Sequence, residues 1–295
     1  MRYIILFEFN NTIHQHKHME KQRTLKDTAF LSGIALHTGA RATLRILPAA
    51  PDHGITFRRI DLPERPEVKA LASNVVDVRR GTTIASGKAV VYTIEHIMSA
   101  LHVCMIDNAV VEMDGQEPPI ADGSALPYLE MIIKAGNVEQ DAPVQYWTAK
   151  QTIFLEEGET KMVLAPSDTL KISCLASFKG CPIDPQYFSL QIDQESYSAQ
   201  IASARTFVQF RDLEQLLAMG LVKGGSLDNA AILHDGAIIC KESLRFRDEI
   251  VRHKILDIVG DIFLCGHRVK ANIIAIKPGH PMNVKLALEM LKQIS

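Results

Sequence analysis

Arg252-His-Lys-Ile-Leu-Asp-Ile-Val-Gly-Asp261 carries two patterns at once. His253, Asp257 and Asp261 stand four residues apart, so a helix sets all three along one side. Val251, Ile255, Ile258, Val259, Ile262 and Phe263 surround that row with apolar surface. The segment therefore reads as a mostly buried helix over about residues 247–265, with Gly266 as its C-cap. A buried strand at Lys270–Ile276 follows, Pro278-Gly279 ends it, and Met282–Leu291 reads as the last helix.

The first half repeats this order. Thr93–Cys104 reads as a helix with Ile94, Ile97, Met98 and Leu101 on an apolar face. Ala109–Met113 reads as a buried strand, and Leu126–Ile133 as a second helix beyond a loop marked by Pro118, Pro119 and Gly123. Upstream, Arg41–Leu47 alternates in strand fashion, and Ile55–Phe57 is expected to pair with it. In the second half, Lys161–Leu164 and Leu170–Ala176 read as strands, and Leu213–Met219 as a short helix stopped by Gly220. The pattern predicts an α+β fold of two similar domains, each a β-sheet packed against helices, over residues 19–142 and 143–295. A linker is expected near Asp141–Pro143.

Composition narrows the class. With 295 residues, 47% of them hydrophobic and 22% charged, the chain can bury a sizeable core. A formal net charge of −2 shows no basic excess, so nucleic acid is not an expected partner. No apolar run reaches the roughly 18 residues a membrane-spanning helix needs, so no integral membrane segment is expected. The five cysteines (104, 174, 181, 240 and 265) are scattered and include no C-x-x-C pair. That suits reduced thiols in the cytoplasm rather than a disulfide framework or a zinc ribbon. Residues 1–18 differ in character: Glu8 interrupts the apolar Tyr3–Phe7 run, and His14, His16 and His18 follow in a polar stretch. We expect a disordered or untranslated leader there rather than an accessory metal site, with Met19 as the true start. Oligomeric state is left open, with a monomer favoured.

The row on the long helix carries the chemistry. Burying unpaired charges is costly, so an imidazole and two carboxylates in an apolar helix need partners. A divalent cation is one solution, because His253 and Asp257 at i and i+4 can both reach it. The other is a row facing solvent, with Arg252 and Lys254 as ion-pair partners. Glu95-His96 occupies the matching helix of the first half, where adjacent side chains diverge and take different roles. His96 would complete a set of three protein ligands with a position open for water, and Glu95 could take that water's proton. Taken alone, His96 reads better as a core histidine bonded to backbone. His280 could protonate a leaving amine, with Asp261 keeping it cationic. Thr206, in Ser203-Ala-Arg-Thr-Phe207, offers a hydroxyl to an oxyanion or else caps a turn.

Together these segments resemble the zinc-dependent UDP-3-O-acyl-N-acetylglucosamine deacetylases of lipid A biosynthesis. The similar residues run in order from Gln22-Arg-Thr-Leu, Ser32-Gly-Ile-Ala-Leu-His-Thr-Gly39 and Gly54-Ile-Thr-Phe-Arg-Arg59 to Thr93-Ile-Glu-His96, Ile106-Asp-Asn108 and Ile120-Ala-Asp-Gly-Ser124. They continue through Ser203-Ala-Arg-Thr-Phe207, Gly224-Gly-Ser226, Leu244 to Asp261, and Lys277-Pro-Gly-His280. The resemblance implies an active site between the two domains and a cytoplasmic hydrolase of the 2-N-acetyl group of the acylated UDP-sugar. It implies His96, His253 and Asp257 as ligands of Zn2+, with Fe2+ the alternative that a His2Asp set also accepts. It further implies Glu95 as general base, His280 as acid and electrostatic stabiliser, Asp261 as its orienting group and Thr206 as oxyanion donor. Lys254 and Phe207 are implied as substrate contacts. An insert over about 207–230 is expected to form an apolar acyl passage from Phe210, Leu213, Leu216, Leu217, Leu221 and Val222. The rival readings are a zinc hydrolase of another N-acyl sugar nucleotide and a non-catalytic binder of the nucleotide sugar or metal.

Overall fold

The computed structural model describes residues 20–178 and 183–293. The leader with its three histidines, the choice of start and Cys181 lie outside them. Six helices occur among the described residues: α1 (Glu95–Val103), α2 (Leu126–Ala135), α3 (Gln194–Gln200), α4 (Phe210–Ala218), α5 (Glu249–Ile262) and α6 (His280–Leu291). The strands expected at Arg41–Leu47, Ala109–Met113, Lys161–Leu164 and Leu170–Ala176 are present, the first longer by one residue and the third by three. The long helix ends in a short 3-10 turn, Phe263–Cys265, and Gly266 then adopts φ +79°, the left-handed cap its position requires.

Two large sheets share one topology. The first has the order Ala29–Ile34, Arg41–Pro48, Ala109–Met113, Ile55–Arg59, Glu67–Lys69. The second runs Ile153–Glu157, Thr160–Pro166, Arg268–Ile276, Leu170–Ala176, Gln186–Gln191, with Tyr146–Thr148 added beside Arg268–Ile276. In each, the strand that follows α1 or α5 enters the centre: Ala109–Met113 runs antiparallel to Arg41–Pro48 and parallel to Ile55–Arg59, and Arg268–Ile276 antiparallel to Thr160–Pro166 and parallel to Leu170–Ala176. The expected pairing of Ile55–Phe57 with Arg41–Leu47 is therefore absent. All five residues of Ala109–Met113 are buried, Glu112 by its pairs with Arg45 and Arg58, and a strand covered on both faces belongs at the centre of a sheet. It displaces the local pairing. The stretch Asp141–Pro143, expected as a linker, lies in the strand Asn137–Pro143, which pairs with Lys21–Leu25. This ribbon is largely solvated on the Asn137–Pro143 side, so its polar composition is compatible with a strand.

Helices pack against both large sheets and against one another. α2 packs on Ala29–Ile34, α5 on Leu170–Ala176 and Gln186–Gln191, and α6 on Ile153–Glu157 and Thr160–Pro166, while α1 and α5 pack on each other. One apolar cluster runs through both halves, including Phe57, Ile97, Leu101, Ile172, Ile255 and Val259. The α1–α5 contact is close because of Gly260: a Cβ there would stand 2.1 Å from the carbonyl oxygen of Glu95. Two small three-stranded sheets complete the fold. Val75–Asp77, Thr83–Ser86 and Ala89–Val91 lead into α1. Phe207–Gln209, Ala231–His234 and Ala237–Ile239 flank α4, so the 207–230 stretch is a strand, a helix and a loop.

Candidate metal centre

Every residue of α5 except Lys254 is buried. The solvent-facing alternative for its polar row is thereby removed. Arg252 pairs with Asp248 (Nε to Oδ1, 2.6 Å), whereas Lys254 turns inward and donates to Asp257 Oδ2 at 2.7 Å. His253 and Asp257, one helical turn apart, meet His96 of α1, whose ring stands edge-on to that of His253 with centroids 5.1 Å apart. One ligand-capable atom from each of the three lies within 4.8 Å of the others. The imidazole Nδ1–H of His253 donates to the carbonyl of Ala204 at 3.0 Å, leaving Nε2 as a free lone pair. His96 Nδ1 and Asp257 Oδ1 are buried with no hydrogen-bond partner. Orphaned buried atoms of this kind are rare in a folded protein unless something else satisfies them.

The protonation states agree with that reading. Burial and the neighbouring His253 drive the His96 imidazole down to about 3, and burial likewise lowers His253, so both rings are neutral and carry lone pairs. Burial would raise Asp257, but the Lys254 ammonium and cationic His280 outweigh it and hold the carboxylate well below its usual range. Two neutral imidazoles and one carboxylate form a donor set suited to a divalent metal ion with an open position. These residues could hold one. The Ala204 carbonyl is itself held in place: the backbone N–H of Arg205 and its guanidinium both bond the buried Glu249 carboxylate at the start of α5 (2.9 and 2.8 Å to Oε1).

Glu95 and His280 stand together beside this group. Glu95 opens α1 and accepts from the backbone N–H of Thr82 at 2.9 Å; its other oxygen is 3.9 Å from His280 Nε2. Burial pushes the Glu95 carboxyl up to about 7; cationic His280 opposes that rise, and Asp261 and Asp257 reinforce it. His280, the first residue of α6, donates Nδ1–H to Asp261 Oδ2 at 2.9 Å and places Nε2 3.9 Å from Asp257 Oδ2. Burial alone would lower His280, but Asp261, Asp257 and Glu95 together raise it to about 9. The site thus has a carboxyl poised near neutrality beside an imidazolium.

Thr206, Phe207, Lys254 and Leu36 line a cavity of about 240 Å³ with Glu95, His96, His253, Asp257 and His280. All the site residues expected from the sequence therefore meet there, apart from Asp261, which lies behind His280 fully buried. Phe207 packs edge-on against Phe178 and His253, and the Lys254 ammonium lies 5.2 Å over its ring. A second, apolar cavity of about 280 Å³ adjoins the first and shares Leu36, Thr206 and Phe207 with it. Of the side chains expected there, Leu213, Leu216, Leu217 and Val222 line it. Phe210 does not; it packs on His234 instead, and Leu221 is also absent from the wall. Sequence reasoning missed Thr82, Asn283 and the Ala204 carbonyl. The only local signal for Thr82 is Gly81 before it, where an added Cβ would come within 3.1 Å of Glu95 Oε1.

Comparison with known proteins places the chain in one family. The family model of the UDP-3-O-acyl N-acetylglycosamine deacetylases (LpxC) matches residues 22–292. A UDP-3-O-acyl-N-acetylglucosamine deacetylase from Geobacter sp. (strain M21) is 45% identical over 272 residues, 92% of this chain and 89% of its own. Those of Myxococcus xanthus and Chromobacterium violaceum are each 42% identical over 274 residues, covering 93% and 92% of this chain and 87% and 90% of theirs. The chain that carries this buried His–His–Asp group is matched along nearly its whole described length, and it is a member of the UDP-3-O-acyl-N-acetylglucosamine deacetylase family.

Proposed function

We propose that this protein hydrolyses the 2-N-acetyl group of UDP-3-O-(3-hydroxyacyl)-N-acetylglucosamine, giving acetate and the free amine, as the deacetylation step of lipid A biosynthesis in the cytoplasm. The observation that carries this reading is the set of buried, unpartnered donor atoms on His96 and Asp257 beside His253, flanked by Glu95 and His280. In this reading His96, His253 and Asp257 hold Zn2+ or Fe2+. Such an ion supplies Lewis acidity, polarising the acetyl carbonyl and bringing the pKa of water toward about 7. Glu95 takes the proton of the attacking water, which its raised affinity for protons suits. Cationic His280 and the Thr206 hydroxyl face the oxygen on which negative charge develops. Asp261 keeps the His280 ring oriented and charged. The amine leaves with a proton from His280 Nε2 or from Glu95, both within reach of one nitrogen given their 3.9 Å separation. Lys254 and Phe207 contact the substrate, and the adjoining apolar cavity receives the acyl chain. The two sheets of equal strand order support residues 19–142 and 143–295 as the two domains.

The test is metal analysis of the purified protein paired with acetate release from the acylated UDP-sugar. One bound ion per chain with acetate release supports the reading. Equal turnover of the sugar lacking its 3-O-acyl chain would assign another N-acyl sugar nucleotide instead. No turnover in wild type or in Glu95→Ala would leave a binder.

A further inference from the structure

We propose that Thr82 is a positioning residue that sets both halves of the acid–base pair, acting through Asp261 and Glu95 without touching substrate. The inference rests on the catalytic roles proposed above. Thr82 is completely buried between the small sheet ahead of α1 and the α5–α6 face. Its backbone N–H donates to Glu95 Oε2 at 2.9 Å, and its hydroxyl donates to Asp261 Oδ1 at 2.6 Å. Its own carbonyl accepts from the Ile94 N–H at 3.2 Å, which ties it to the residue before Glu95.

The geometry at Asp261 gives the hydroxyl its weight. This carboxylate is completely buried, and its Oδ2 already accepts from His280 Nδ1 and Asn283 Nδ2, both at 2.9 Å. Oδ1 has one donor among the side chains described here, the Thr82 hydroxyl. The torsion that turns a carboxylate about its Cβ–Cγ bond is soft, so two donors on one oxygen do not fix its plane. The hydroxyl on the second oxygen does. Rotation of that plane would swing the His280 ring, whose Nε2 must face the reacting nitrogen. A misplacement of about 1 Å at such a group can cost roughly a hundredfold in rate, so a residue that touches nothing reactive can still govern it.

The experiment compares wild type with Thr82→Val, which keeps the shape and loses the hydroxyl, and Thr82→Ser, which keeps the hydroxyl. Each is also placed in an Asp261→Asn background, and metal content and melting temperature are measured throughout. For Thr82→Val, kcat is expected to fall about tenfold or more with KM within about twofold. Thr82→Ser should retain kcat within about threefold of wild type, and all variants should keep the wild-type metal content. In the Asp261→Asn background the Val substitution should cost less than about threefold, because neighbours that act through one another are not additive. The proposal is overturned by a wild-type kcat in Thr82→Val, by a Ser variant as slow as Val, or by additive effects in the cycle. A wild type that binds metal and releases no acetate overturns the functional reading itself, and this inference with it; the other outcomes strike this inference alone.

Discussion

Glu95 and His280 face each other across 3.9 Å with opposed electrostatic histories, one carboxyl raised by burial and one imidazole raised by three carboxylates. Glu95 is not part of the donor group, so Glu95→Gln is expected to keep metal content while lowering kcat by about 10²–10⁴, the usual worth of a general base. Activity near wild type in a metal-loaded Gln variant would remove Glu95 from that role. For His280, the value of about 9 in the fold lies above the ordinary 6.5, so its cation contributes stability that is whole below about 6.5. That contribution fades as pH rises through about 9. Melting of metal-free wild type and His280→Ala between about pH 6 and pH 10 should therefore show a gap that closes as pH rises. A gap of constant size across that range would contradict the charge assignment.

At the scale of elements, the site depends on how closely α1 and α5 approach. Gly260 lies three residues beyond Asp257 on α5, and its missing Cβ leaves room for the Glu95 carbonyl. Gly260→Ala forces a contact of 2.1 Å to relax by moving one helix from the other. Overpacking of this kind typically costs about 1–3 kcal/mol, and here it also separates His96 from its two partners. We expect a lower melting temperature together with weaker zinc affinity by calorimetry. A variant that loses stability but binds zinc as tightly as wild type would show that the crossing distance does not set the ligand geometry. The same dependence explains why spacing on α5 alone left two readings open. A row at i, i+4 and i+8 is compatible with a solvated face until a second helix covers it.

Across the whole molecule, the donor group joins the two halves, with His96 from α1 and His253 and Asp257 from α5. An ion bound only by the folded arrangement stabilises it by mass action, about 2.7 kcal/mol when free metal is a hundred times Kd. Chelation should lower the melting temperature, added zinc should restore it, and His96→Ala should be indifferent to both. A His96→Ala protein that still gains stability from zinc would place the ion elsewhere. By itself the sequence determined the periodic segments: the helix carrying His253, Asp257 and Asp261, its Gly266 cap, and the helix–strand–helix order that recurs in both halves. Those follow from local rules, since side-chain direction repeats every few residues along one element. Only the tertiary structure decided the rest. It inserted Ala109–Met113 between strands that looked like partners, made a strand of Asn137–Pro143, and brought Thr82, Ala204 and Asn283 to residues far away in the chain. The physical reason is that burial on both faces and donors for buried charges are demands met across the core, by whichever segment the packing brings there.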